Sequence, residues 1–195
     1  MTTPPKPEYA DRSYRSPHGI VGGLLLLGFA AWLGGDALVT GEGRTPWIAL
    51  AGLLFVVPLV VAFTFRPVVR ASEDRMRVRN PFRTIDLPWA SVAGVRAGYS
   101  SEVFTQDGTK YQLWSVPVSL RERKRAARRQ ARAGADAPPV RSAGADQTVA
   151  DLQELAERCA SRPSAQGEPR VRWAYEILGP SLAGLVLLLV LVVTG

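Results

Sequence analysis

The chain has 195 residues, with 24 Lys and Arg against 17 Asp and Glu and a formal net charge of +7. That length fits one domain or two small ones, and a mean hydropathy of +0.03 is ordinary only as an average. Three stretches carry almost no charge and one short segment carries much of the Arg, which excludes a simple soluble domain. One Cys (Cys159) excludes an intramolecular disulfide and a Cys-based zinc site. One His (His18) excludes a Ser-His-Asp triad, an HExxH helix and a His-rich metal site. There is no Walker loop and no GxGxxG fingerprint. The expectation is therefore a protein that is not an enzyme, with no catalytic residue, no metal site and no cofactor. Arg outnumbers Lys 21 to 3, which a GC-rich genome explains as well as function does.

Residues 1–18 are polar and Pro-rich without apolar periodicity, and predict a disordered tail. From Gly19 to Val39 only Asp36 is charged, and about 20 such residues suffice to cross roughly 30 Å of hydrocarbon. A cleaved signal peptide is the alternative, disfavoured by the second apolar segment that follows at once. That segment runs from Thr45 to Phe65 with Pro58 inside it, a residue tolerated in membrane helices when neighbours re-satisfy the freed carbonyl. The short loop Thr40–Arg44 predicts a tight helical hairpin over residues 19–65. Trp32 and Trp47 lie near its loop side, where interfacial Trp belongs. Gly22, Gly23, Gly28, Gly34 and Gly35 give the first helix small faces for close packing. The third apolar segment spans residues 173–195, with Trp173 and Tyr175 at its entry and Arg170 and Arg172 just outside.

Of the 24 basic residues, three precede residue 19, one lies in the hairpin loop and the remaining twenty fall between Arg66 and Arg172. The positive-inside rule then puts the tail and the large block in the cytoplasm, and the loop and C-terminus outside. The expected location is a plasma membrane, crossed three times.

In the large block, residues 66–118 read as strands. Arg75-Met76-Arg77-Val78-Arg79 alternates, so Met76 and Val78 face a core and three Arg face water. Asn80–Arg83 reads as a turn, after which Ile85 and Leu87 alternate in their turn. Trp89, Val92 and Val95 follow, with Tyr99 next along the same strand. Asp107-Gly108 between two alternating runs predicts a hairpin with a type I′ turn, positive φ at both centres. Tyr111 and Leu113 share one face of the last strand and Trp114 the other.

Residues 119–147 form a biased insert. Its first half, Arg121 to Arg132, holds seven basic residues (Arg121, Arg123, Lys124, Arg125, Arg128, Arg129 and Arg132) against one Glu. Arg and Ala favour a solvated helix there, and the rest reads as a flexible linker. Residues 148–161 predict a helix capped by Thr148, with Asp151 as a capping-box partner. It has an apolar face through Val149, Leu152, Leu155, Ala156 and Cys159; the Cys reads as a buried small apolar residue. Residues 162–172 read as a linker.

Two membrane helices, then R-M-R-V-R, N-P-F-R, a Trp before V-x-x-V, a D-G hairpin and Y-x-L-W, then a helix: in this order the chain resembles the bacterial pleckstrin-homology-like (PH) domains. In detail it is similar to the small actinobacterial membrane proteins of the low-molecular-weight protein antigen 6 group. The resemblance implies an α+β membrane protein, with three transmembrane helices plus a small antiparallel β-barrel capped by a C-terminal helix. It implies no enzymatic activity. The basic insert and the third span depart from the two-helix relatives.

The basic run fits three readings. At a cytoplasmic leaflet each basic residue contributes roughly 1 kcal/mol of attraction to anionic phospholipid, so four give about 4 kcal/mol. A solvated linker is the second reading. Nucleic acid is the third, disfavoured because no aromatic residue interleaves to stack on bases. Arg75, Arg77 and Arg79 fit an acidic partner, or equally an edge strand kept soluble by charge. Asp36 and Glu176 fall at opposite ends of the bilayer and cannot share a proton relay. The expected role is a membrane-anchored binding or scaffold module facing the cytoplasm, contacting a protein partner or anionic lipid. The alternative is an accessory subunit of a transporter or other membrane complex. Single-cysteine probes in Thr40–Arg44 are expected to react with an impermeant maleimide on intact cells. Probes in the basic run are expected to react only after permeabilisation, and the reverse pattern would invert the topology.

Overall fold

The computed structural model describes residues 12–118, 128 and 144–194. Its contacts divide the chain into two units: Met1–Arg15, Val68–Val78 and Ile85–Val171 in one, and Ser16–Pro67, Arg79–Thr84 and Arg172–Gly195 in the other.

The helical unit is built from α1 (Pro17–Thr40), α2 (Thr45–Val60) and α4 (Tyr175–Val193). Ser16 caps α1 by accepting from the Gly19 N–H at 3.4 Å, and Pro17 occupies the first turn, where its missing N–H costs nothing. The 24 residues of α1 reach about 36 Å. Beyond Pro58, α2 continues through a π-helical turn at Val61–Phe65, and the Thr64 hydroxyl donates to the Val60 carbonyl at 2.6 Å. The three segments Pro17–Thr40, Thr45–Phe65 and Tyr175–Val193 are each long and apolar enough to cross a membrane.

Small residues set how closely these helices approach. A Cβ at Gly184 would stand 2.7 Å from the Leu54 carbonyl carbon and 2.9 Å from Phe55 Cα, so the backbones of α2 and α4 meet directly there. At the loop end, Arg44 donates to the Leu191 and Thr194 carbonyls at 3.3 and 2.9 Å. It thereby satisfies acceptors that the end of α4 leaves without an intrahelical donor.

Among the residues described without interruption, the other elements are strands, short 3-10 turns and one amphipathic helix. A five-stranded sheet runs in the order β1 (Arg12–Tyr14), β2 (Val68–Ala71), β3 (Arg75–Arg79), β4 (Arg83–Pro88), β8 (Arg170–Trp173). A three-stranded sheet runs β5 (Val92–Ala97), β6 (Ser101–Thr105), β7 (Lys110–Gln112). The sheets keep separate ladders and do not close into the barrel expected above. A 3-10 turn at Trp89–Ser91 carries the chain from β4 to β5 and interrupts pairing between them.

Helix α3 (Gly144–Cys159) packs on β5 with Val149, Leu152, Leu155, Ala156 and Cys159 buried. The Val95 N–H of β5, at the edge of its sheet, donates to Gln153 Oε1 at 2.8 Å. The helix thus covers apolar surface and satisfies an edge donor at once. Trp89, Met76, Ile85, Leu87, Leu113 and Leu152 are fully buried in this unit's core, and each such side chain contributes on the order of 1.5–3 kcal/mol.

Several boundaries differ from the expectation. The described part of the tail is ordered: Arg12–Tyr14 pairs antiparallel with Val69–Ala71, and residues from Pro17 belong to α1. Three residues are too few for an alternation to show in a polar, Pro-rich context. Helix α3 starts at Gly144, so Thr148 lies inside it and its hydroxyl donates to the Gly144 carbonyl at 3.0 Å. Residues 162–172 hold a 3-10 turn at Pro163–Ala165 and most of β8, and Trp173 ends that strand and does not open the third span. Tyr99 is 94% exposed in the turn between β5 and β6.

Replacing Gly184 by Ala is expected to force α2 and α4 apart and cost about 1–3 kcal/mol, as overpacking does. Gly179→Ala, where a Cβ meets nothing within 4 Å, is the matched control. A lower melting temperature of the full chain in detergent for the first variant alone is the expected result.

Candidate binding surface

β3 is the starting point. Met76 and Val78 are fully buried, while Arg75, Arg77 and Arg79 lie on the opposite face. Because β3 stands between β2 and β4, it is not an edge strand, and protection of an edge no longer accounts for its charges. Arg77 forms an ion pair with Asp86 of β4. Arg70, exposed on β2, joins Arg75 and Arg77 on this face. The Arg70 position was missed in the sequence because Val68-Val69-Arg70-Ala71 does not alternate strictly.

The β2–β3 turn, Ser72–Asp74, is held from several sides. The Trp89 indole N–H donates to the Ser72 carbonyl at 2.9 Å, and the Ser72 N–H donates to the Arg75 carbonyl at 3.0 Å. Glu73 pairs with Arg162 at 2.7 Å and Asp74 accepts from the Ser164 hydroxyl at 2.6 Å. Both acids of the turn are thus engaged by the segment that follows α3.

In the helical unit, Glu176 pairs with Arg66 at 2.7 Å. Arg66 also donates to the Asn80 carbonyl at 3.2 Å and to the Thr84 hydroxyl at 3.4 Å. The sequence reading placed Glu176 at one end of the bilayer and did not find its partner Arg66. The signal was available: both charges bound apolar segments on the same predicted side.

Most of the basic run (Arg121, Arg123, Lys124, Arg125, Arg129 and Arg132) lies outside the described residues; Arg128 is helical and exposed. Of the residues assigned to the core, Met76, Val78, Ile85, Leu87, Trp89, Val92, Val95 and Leu113 are buried and Tyr111 is half-buried against them. Cys159 is buried with a free thiol. Tyr14 packs against this core, and burial pushes its phenol pKa up, with Arg12 acting in the opposite direction. Among the described residues, no group of three or more His, Cys, Asp or Glu stands together.

The Asp107-Gly108 hairpin is a different turn from the one expected. Gly108 has φ +83° but Asp107 does not have positive φ, so the type I′ reading fails. The Gly108 N–H donates to the Thr105 carbonyl at 3.0 Å and the Thr105 N–H to the Thr109 carbonyl at 2.9 Å. This is a three-residue loop closed by a glycine bulge. The Asp107 carboxylate selects it by accepting from the Thr105 hydroxyl and from the Thr109 N–H. These bonds, the Thr105 hydroxyl first, hold its pKa below the ordinary carboxylate value.

A family model described as bacterial PH domain matches residues 66–146. No curated protein and no solved structure matches the chain. The match, together with the two sheets and the helix on β5, supports a bacterial PH-like domain within this chain. In addition, three helices among the described residues are long and apolar enough to cross a membrane.

Because its folded pKa is depressed, Asp107 contributes stability that is full above the unfolded carboxylate range, about pH 4. That contribution is lost as pH falls through the folded value. The melting temperature of the wild type should exceed that of Asp107→Asn near about pH 6, and the gap should narrow toward about pH 3. A gap independent of pH would remove the carboxylate from the turn's stability.

Proposed function

We propose that this chain is a membrane-anchored, non-enzymatic binding or scaffold module that presents a PH-like domain to the cytoplasm and contacts protein partners or anionic lipid. The observation that carries the reading is the joining, in one chain, of three helices apolar enough to span with a segment matching a bacterial PH domain. The distribution of Lys and Arg supports a bacterial plasma membrane, with the N-terminus and the PH-like domain inside and the C-terminus outside. The order of motifs supports a place among the actinobacterial proteins similar to the low-molecular-weight protein antigen 6 group. The lack of a second His or Cys supports a role without catalysis.

The basic run supports contact with anionic phospholipid through summed charge. A second reading, an accessory subunit of a transporter or other membrane complex, is favoured by the third apolar helix, which a simple anchor does not need. The run is dense in trypsin sites, so proteolysis reports its engagement. In nanodiscs containing phosphatidylglycerol, cleavage of the full chain between Arg121 and Arg132 should slow relative to phosphatidylcholine nanodiscs. The difference should fade at high salt. Equal rates would eliminate the lipid arm. Crosslinking and pull-down from native membranes then tests the partner arm, and a chain recovered alone and monomeric would count against it and the accessory-subunit reading together.

A further inference from the structure

We infer that the groove between α1 and α2 seats one acyl chain of a phospholipid whose ammonium headgroup is held at the loop end by Asp36 and Glu42. The inference rests on the membrane-anchored reading, and it involves neither the PH-like domain nor the basic run. The groove encloses about 490 Å³. It follows α2 from Thr45 to Val60 and α1 from Leu26 to Ala37. Among the described residues, Thr45 at the loop end is the one polar residue that lines it.

The dimensions suit a single hydrocarbon chain. Spread over the ~24 Å of α2, this volume leaves a channel about 5 Å wide. A helix with its side chains is about 10–12 Å across. Leu26, Phe29 and Leu33 stand exposed along the α1 rim and hold a neighbouring helix off the floor. That floor is tight at Gly34, where an added Cβ would stand 2.6 Å from Leu53 Cδ1. It is open at Gly52, where a Cβ meets nothing within 4 Å. Inside a bilayer the hydrophobic effect does not drive the filling of such a channel. An unfilled channel forfeits dispersion contacts along both walls, and a thin, flexible chain recovers them along the whole seam.

Charge decides the headgroup. Asp36, beside Ala37 of the lining, and Glu42, three residues before Thr45, bring two carboxylates to the loop end. Asp36 falls seven residues after Phe29, on the same stripe of α1. Among the described residues, neither carboxylate has an ion-pair or hydrogen-bond partner. Arg44, the basic residue of that loop, is committed to the Leu191 and Thr194 carbonyls. The loop end is therefore left acidic, which repels an anionic headgroup and attracts a cationic one. A primary ammonium also donates charge-assisted hydrogen bonds to carboxylates, which a quaternary ammonium cannot do.

The test uses the full chain in phosphatidylcholine nanodiscs. Each preparation carries a trace of phospholipid with a diazirine midway along one acyl chain and an ethanolamine, choline or glycerol headgroup. Adducts formed on illumination are mapped by peptide mass spectrometry. They are expected to concentrate between Leu26 and Ala37 and between Thr45 and Val60. They should be sparse at Leu187 and Val190 of α4, which are as exposed as Leu33. Gly52→Leu, which fills the channel, should lower groove adducts to the α4 level. Gly28→Leu is the control, since a Cβ there also meets nothing within 4 Å but the position does not line the groove. The ethanolamine lipid should label the groove more than the glycerol lipid, by up to about fivefold, the range of an exposed ion pair. Asp36→Asn with Glu42→Gln should abolish that preference.

Adducts spread evenly over the three helices, or groove adducts indifferent to Gly52→Leu, mean ordinary surrounding lipid and overturn the site. Crosslinks between two copies at the groove, with lipid adducts missing, assign it to a second copy and overturn it too. A headgroup preference that is absent, or unmoved by Asp36→Asn with Glu42→Gln, overturns the ammonium assignment. Alkaline carbonate extraction of native membranes is run alongside. Release of the chain overturns the membrane anchoring itself, whereas retention with evenly spread adducts overturns this site alone.

Discussion

The two-residue period of a strand inside a sheet is the constraint on which the PH-like domain depends. β3 has neighbours on both sides, so its register cannot relax toward solvent at an edge. Met76 and Val78 are fully buried, and that alone puts Arg75, Arg77 and Arg79 on the other face. A slip of one residue would exchange the sets and drive three guanidinium groups into the core. Burying an unpaired charge costs far more than any local gain in pairing returns. The core and the arginine face are therefore two consequences of one alternation. The core also holds the turn beside that face, because the buried Trp89 donates its indole N–H to the Ser72 carbonyl.

The helical unit follows different physics. Its helices are apolar on all sides, so hydrophobicity does not choose which face packs. Approach distance chooses it, as at Gly184, where no side chain intervenes between α4 and the backbone of α2. Polar bonds then fix the ends. Arg66 is 9% exposed, whereas its partner Glu176 is 61% exposed, so the Coulomb term alone is worth at most about 1 kcal/mol. The larger effect is that Arg66, largely removed from water, also finds the Asn80 carbonyl and the Thr84 hydroxyl. Leaving that guanidinium without acceptors would cost more than the exposed ion pair supplies.

What could be read from the sequence follows from how far each signal reaches. The apolar segments and the alternation of β3 are long or strict enough to stand out from one chain. The tail strand Arg12–Tyr14 and the closing strand Arg170–Trp173 are only three and four residues. Their pairing is decided by tertiary contact, which no local pattern encodes. The Asp107-Gly108 hairpin shows a subtler limit. The dipeptide announces a turn, but the turn type was chosen by Thr105 and Thr109, whose hydroxyl and amide engage the Asp107 carboxylate. The edge-strand explanation of the β3 arginines failed for a similar reason, since strand order is a property of the sheet and not of the strand. The Arg70–Arg75–Arg77 grouping needed that order too, because it joins residues of two neighbouring strands across a turn.

The two basic features of this chain differ in kind, and the difference bears on specificity. A run such as Arg121 to Arg132 would act on an anionic surface by summed charge. Its attraction to an anionic surface is screened within about 8 Å at physiological salt and makes little distinction among anions. Guanidinium groups set on paired strands act by geometry, and directed bonds at contact distance are screened far less. Charge of the first kind raises the local concentration of anionic partners, and a site of the second kind selects among them. Were the three apolar helices to anchor the chain in a membrane, attraction of the first kind would add little local concentration that the anchor did not already supply, and selection among partners would have to come from side chains fixed in geometry.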